Sequence, residues 1–391
     1  MAEVQGTVAP GFERVEEVFR DNLVDRGEVG AALAVLRDGE VLVDLWGGHA
    51  DRELGRPWVE DTLGVVFSCT KGLMAACYLL LEDRGLDLDQ PLRTWWPELK
   101  STGTLRQLLN HRVGLSVLDQ QLSVDDFLAQ NEAWLRAAEA QEPVWSPGTD
   151  QGYGATALGV IAGELFRRIS GQSVGTFLRD ELAGPLEAEA WIGLPPEQQD
   201  RVSTLYRPSR AGFRSLLPDV HRSAEGRAYG ELFFKKKSLT HRALSNPKDL
   251  GLAGLHNYNR PEVRALELPW ANGVASARGL ATVMGMLAAG GSWQGRRYVS
   301  EARIEPLKQR QSFARDRVMK RDQGFSQGFV KEAPPVFSPN PEGFGHPGAG
   351  GSVAWADPVE GIGIGYVMNQ MSPRIRSRRC QRLCEAVYAC F

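Results

Sequence analysis

Two short stretches each place a serine where chemistry could occur. In "VVFSCTKGLMAACYLLLEDRG", Lys71 follows Ser68 by three residues, at the start of an apolar run. Positions i and i+3 of a helix share a face, so the Lys71 ammonium can lie beside the Ser68 hydroxyl. The helix N-terminus adds a positive field that favours developing negative charge. Packing against Leu73 and Met74 would desolvate the lysine, lower its pKa and let it accept a proton. Together these features suit an activated serine nucleophile. The bland alternative makes Ser68 a helix cap and Lys71 an exposed lysine. A second S-x-x-K, Ser245-Asn246-Pro247-Lys248, contains a proline and leads into no apolar helix.

The other stretch is Gly171-Gln172-Ser173-Val174-Gly175, a G-x-S-x-G. A nucleophile elbow needs a strand before its serine and a helix after it, because the sharp turn exposes Oγ. Upstream, Leu158, Ile161, Leu165, Phe166 and Ile169 recur at helical spacing, and Gly171 reads as a helix stop. Ser173 is then expected to cap the next helix, "GTFLRDELAG", and not to act as a nucleophile.

These residues must be carried by a larger frame. Phe12, Val15, Val18, Phe19 and Leu23 predict a helix up to about Arg26. "GAALAVLRDGEVLVDLWGG" predicts a hairpin turning at Asp38-Gly39. "GGSVAWADPVEGIGIGYVMNQ" gives two more strands, and "SRRCQRLCEAVYACF" a final helix. The middle is largely helical: "LMAACYLLLEDRG", "LRQLLNHRVGL", "VDDFLAQNEAWLRAAEAQ" and "YGATALGVIAGELFRRISG". The expected fold class is α/β (α+β): an antiparallel sheet flanked by terminal helices, with a mostly helical unit inserted. Residues 1–75 and 262–391 would form the sheet domain and 76–261 the helical one, with a cleft between them. The stretch 201–261 has no clean period and reads as a surface excursion walling that cleft.

A chain of 391 residues with 42% hydrophobic and 24% charged residues is an ordinary globular composition. Its net charge of -3 supplies no overall basic field for nucleic acid or anionic lipid. The basic runs Lys235-Lys236-Lys237 and Arg374 to Arg382 read as solvated faces. No window reaches the roughly 18 consecutive apolar residues of a membrane span, so no membrane partner is expected. The N-terminus has early acids and no apolar core of a signal peptide. The five cysteines, Cys69, Cys77, Cys380, Cys384 and Cys390, lack paired spacing and suit a reducing, cytoplasmic compartment. Cys380 and Cys384 have no second ligand pair, and no phosphate-cradling loop stands out; neither metal nor cofactor is expected.

Further motifs carry a resemblance. "FSCTKG", "LLNHRVGL" at 108–115, "PGTDQGYGATALGVIAGELFRRISGQSV" and "GFGHPGAGGSVAWADP" occur in that order. The chain resembles the serine β-lactamase and penicillin-binding-protein superfamily, in particular the class C-like esterases known as family VIII carboxylesterases. The resemblance implies Ser68 as nucleophile, Lys71 as its partner and Tyr153 as the tyrosine of the second box. His346-Pro347-Gly348 would be the third box, and Val113 stands where serine is usual. It further implies an oxyanion hole from the N–H groups of Ser68 and Ala349, with Gly348 letting that strand approach substrate. His111 reads as a structural loop histidine.

Which of Lys71 and Tyr153 takes the proton is left open, and a Tyr153 near cationic groups would have a depressed pKa. Trp270 and Asn272 resemble a segment bordering the family's site. Tyr258, Phe325 and Phe344 are candidates for an acyl pocket or for ordinary core. Two departures stand out. His346 replaces the usual lysine, removing a permanent positive charge, and Ala155 replaces the asparagine of Tyr-x-Asn, removing an amide partner. Both favour a small-molecule ester with an uncharged body over a lactam or D-peptide. Acyl transfer to an alcohol or amine, D-amino-acid amidase or aminopeptidase activity, and a scaffold without turnover are the alternatives. Homo-oligomerisation is compatible with the sequence.

Overall fold

A computed structural model describes residues 3–219 and 222–391. The hairpin forms as expected: Gly30–Arg37 (β2) and Glu40–Asp51 (β3) pair antiparallel. Asp38 and Gly39 both have positive φ, 43° and 86°, the conformation a two-residue turn needs to match strand twist. Val4–Val8 (β1) adds to β3 at one edge. The sequence reading passed over β1. It also passed over Ser312–Arg315 (β4), Asp322–Ser326 (β5), Phe329–Lys331 (β6) and Phe344–Pro347 (β7). With Val353–Asp357 (β8) and Ile362–Met368 (β9) they complete an antiparallel sheet in the order β1-β3-β2-β9-β8-β7-β6-β5-β4.

Alternation along β2 divides the core. Ala31, Leu33 and Val35 face the terminal helices Glu13–Asp25 (α1) and Arg378–Tyr388, together with Val15, Phe19, Cys380 and Leu383. Ala32, Ala34 and Leu36 face the other layer, which holds Cys69–Asp83 (α2) and Ala277–Ala288. That second layer packs very close. A Cβ on Gly363 would sit 2.1 Å from Ala281 O, so the strand passes against helical backbone there.

Between α2 and Ala277–Ala288 nearly all the regular structure is helical, including Ala133–Ala140 and Ala157–Ser170, with long connections between the helices. The stretch from 201 to 261 is more ordered than its lack of period suggested. It contains the helix Ala224–Phe234 (α3) and a short helix Leu239–Leu244, both N-capped by serines at positions 223 and 238. Its residues also line the main cavity. The basic run near the C-terminus is not a solvated face. Arg376 pairs with the buried Glu332, and Arg379 donates to the buried Glu28 at 2.7 Å.

Candidate active site

Ser68 sits at the entry of α2 with helical φ and ψ, and its side chain makes no capping bond. The hydroxyl is therefore not spent on the helix, contrary to the bland alternative. Phe67, just before it, has φ 47°, left-handed backbone that costs a non-glycine residue about 1–3 kcal/mol. This kink, and not a strand running into the serine, presents Ser68; only Gly64–Val65 upstream is strand. The kink is held from several sides. Val66 N–H donates to Gly273 O at 2.9 Å, Gly273 N–H donates to Thr70 Oγ1 at 2.9 Å, and Ser352 Oγ donates to Val66 O at 3.0 Å.

Lys71 is 1% exposed. Its Nζ donates to Trp270 O at 2.9 Å and lies 3.4 Å from Ser68 Oγ. Burial in this apolar setting pulls its pKa down to about 7. On the other side of the serine, Tyr153 Oη donates to Ser68 Oγ at 2.9 Å. The expected depression of Tyr153 does not occur. Burial pushes its pKa up, outweighing the hydrogen bond to Ser68 and the distant charge of Arg376, so the phenol keeps its proton.

Three successive backbone N–H groups fix Tyr153. Gly152 N–H donates to His111 O, Tyr153 N–H to Asp316 Oδ1 and Gly154 N–H to His111 Nδ1, all at 3.0–3.1 Å. The His111 ring also packs between Tyr153 and Phe325. His111 is thus the structural histidine anticipated. Asp316 was missed, because nothing near it in sequence ties it to residue 153.

The third box approaches the kink closely. A Cβ on Gly348 would lie 2.3 Å from Val66 O and 2.1 Å from Ser352 Oγ. Cys69 Sγ donates to His346 O at 3.1 Å, stitching α2 to the same strand. Among the described residues, neither Ser68 N–H nor Ala349 N–H donates to a protein acceptor. His346 Nδ1 lies 2.8 Å from its neighbour's carbonyl at Pro347, and burial with the nearby Lys71 lowers its pKa to about 3, so the ring is neutral.

A cavity of about 580 Å³ opens over Ser68, Lys71 and Tyr153. Trp270, Tyr258, Phe325, His346, Ala155 and Ala349 line it. Two expected pocket residues lie elsewhere. Asn272 is fully buried, with its amide bonded to Leu268 N, Val263 O and Leu266 O, so it braces the 263–272 turn. Phe344 is fully buried against Phe329 on the face of the sheet that packs on α2. Gly348 contributes closeness of backbone, while the Trp270 carbonyl, which no side-chain reading would suggest, anchors Lys71. The cavity is also lined by Arg321 and Arg376, which share the buried Glu332. Among the described residues no group of His, Cys, Asp and Glu could hold a metal.

Ser173 is a cap. Its Oγ accepts from Thr176 N–H and donates to Glu267 at 2.7 Å, and it does not line the cavity. Ser173→Ala should leave ester turnover unchanged and lower stability by about 1 kcal/mol, read by denaturant unfolding. Lys248 of the second S-x-x-K is exposed.

Comparison with known proteins places the chain by family and fold. The sequence profile described as Beta-lactamase matches residues 13–383. The chain is 32% identical over 383 residues to "Esterase/beta-lactamase LipL" of Mycobacterium tuberculosis, covering 94% of this chain and 83% of that protein. It is 32% identical to "Esterase EstB" of Burkholderia gladioli over 54% of this chain and 60% of that one. The crystal structure of a family VIII carboxylesterase superposes with a TM-score of 0.86 at 34% identity, covering both chains fully. The profile that spans nearly the whole chain and the relative matched along most of its length lead to one assignment: this protein belongs to the beta-lactamase family.

Proposed function

We propose that the protein is a serine carboxylesterase acting on short- to medium-chain esters through an acyl-Ser68 intermediate. The observation that carries the reading is the Ser68 hydroxyl held between a lysine at about neutral pKa and a protonated tyrosine, at the floor of a largely apolar cavity. Neutral Lys71 takes the Ser68 proton as Oγ attacks the ester carbonyl. The N–H groups of Ser68 and Ala349 receive the oxyanion. Tyr153 keeps its proton in the resting site, donates it toward the departing alkoxide and recovers one from Lys71. Water then cleaves the acyl-enzyme by the same route, and the serine is restored. The assignment of Lys71 as base rests on the opposite directions of the two pKa shifts.

Several features favour an uncharged ester. His346 is neutral, and Ala155 offers no amide. The esterase names of two relatives point the same way. Free cysteines throughout, four of them buried, fit a reducing cytoplasmic setting.

The test is fluorophosphonate labelling with peptide mapping, run as a pH series. We expect one adduct, on Ser68, with a labelling rate that climbs as pH rises through about 7, because only the deprotonated lysine can act as base. Lys71→Ala should abolish it. An adduct elsewhere, or a rate flat across that range, would remove Ser68 or Lys71 from these roles.

A further inference from the structure

The net charge of -3 averages over a surface that is locally very different. Helix α3 ends in Phe233-Phe234, followed at once by Lys235-Lys236-Lys237. Phe234 is 77% and Phe233 50% exposed, although both are large apolar side chains. They continue an aromatic cluster: Phe233 stacks on Tyr229 with centroids 6.0 Å apart and meets Phe213 and Phe234 edge-on. Tyr229, with Ala228 and Leu232, lines the cavity above Ser68. The exposed apolar tip is therefore one helical turn from the cavity wall.

The charges around this tip leave a surplus of cations. Glu231 faces Lys235 and Lys320, Glu225 and Asp219 both face Arg374, and Asp322 faces Arg315. Among the described residues, Lys236 and Lys237 have no acidic partner. Three adjacent lysines oppose pairing of this patch with its own copy. Aromatic side chains followed at once by three lysines instead match an acyl–headgroup boundary that carries negative charge.

We propose that the end of α3 docks on an anionic lipid surface, with Phe233 and Phe234 entering the interface and Lys235 to Lys237 on the headgroups. The contact is peripheral; among the described residues no helix is long and apolar enough to cross a membrane. It places the cavity wall against the phase in which acyl esters collect. Neither signal suffices alone, since stable attachment takes an apolar and a basic component together.

Sedimentation with vesicles tests this directly and reads binding whether or not the protein hydrolyses esters. Vesicles of equal parts phosphatidylglycerol and phosphatidylcholine should pull down the protein, pure phosphatidylcholine should not, and added salt should release it. Lys235→Gln/Lys236→Gln/Lys237→Gln should weaken partition on the order of 100-fold, and Phe233→Ser/Phe234→Ser by about tenfold or more. The lysine variant should melt at the wild-type temperature because its side chains are exposed, whereas the phenylalanine variant gives up the half-buried packing of Phe233 on Tyr229 and Phe213 and should melt slightly lower while staying folded by circular dichroism at the assay temperature. Equal partition onto both vesicle types, no partition, or variants that bind like wild type would overturn the proposal. So would dimers in analytical ultracentrifugation that the phenylalanine variant abolishes, because the occupant would then be a second copy.

Discussion

Lys71→Met should be nearly inactive and more stable than the wild type. With Lys71 as the proposed general base, its loss is expected to lower kcat/KM by roughly 10²–10⁴-fold. The stability gain follows from what holds the lysine near neutral pKa. Lys71 is 1% exposed, and its pKa lies at about 7 because burial penalises the ammonium; no carboxylate offsets that cost. In the unfolded chain the same group titrates at about 10.4. Between those values the unfolded chain binds a proton that the native protein lacks, so native stability rises with pH across the window. Below about 7 both states are protonated and the penalty is present in full. Met fills the same elongated volume and carries no charge to desolvate. The variant loses the hydrogen bonds to Trp270 O and to Ser68 Oγ, worth about 1 kcal/mol each and together less than the desolvation cost that is removed. Calorimetry should show a melting temperature a few degrees above wild type at neutral pH, with the gap closing as the pH approaches the lysine's unfolded value. A variant that melts lower, by an amount independent of pH, would show that Lys71 is not held under strain.

The sequence made part of this arrangement legible, and the division is physical. Ser68 and Lys71 are linked by helical periodicity, and Ser173 was excluded by the same periodicity upstream. The hairpin at Asp38-Gly39 was readable because backbone with positive φ demands particular residues. Strands β4 to β7 were not readable. They are short, and buried runs such as Asp322–Ser326 mix charge, amide and glycine with a single Phe, so neither alternation nor β-branched content marks them. Arg376 was hidden inside a basic run. A run reads as solvated until the buried Glu332, far away in sequence, is seen to face it. Asn272 was expected in the pocket and braces a turn, because an amide can satisfy backbone groups as readily as a ligand. The sign of the Tyr153 shift also lay beyond the letters. It depends on whether burial or neighbouring charge dominates, and here burial does.

Gly348→Ala should be the most damaging single-methyl change near the site. The backbone of Gly348, φ -102° and ψ 156°, suits any residue, so glycine is required there for space alone. An added Cβ would meet Ser352 Oγ at 2.1 Å and Val66 O at 2.3 Å. The serine hydroxyl can rotate away, but the Val66 carbonyl belongs to the kink that sets Ser68. The strand must therefore retreat, and the next N–H, that of Ala349, retreats with it. Losing one donor of an oxyanion hole lowers kcat by about 10²–10³-fold, and overpacking costs about 1–3 kcal/mol of stability. KM should change little, since the hole acts on the tetrahedral intermediate and the acyl pocket is untouched. Adding Ser352→Gly separates the two clashes. It clears the contact with the hydroxyl and leaves the one with backbone; because it also removes the Ser352–Val66 bond that helps hold the kink, Ser352→Gly alone sets the baseline, and activity in the double variant should stay well below that baseline. Recovery in that double variant would mean the hydroxyl alone was the obstacle. Undiminished kcat in Gly348→Ala itself would mean that Ala349 N–H does not face the oxyanion, and the second donor would have to be sought on another edge of the cavity.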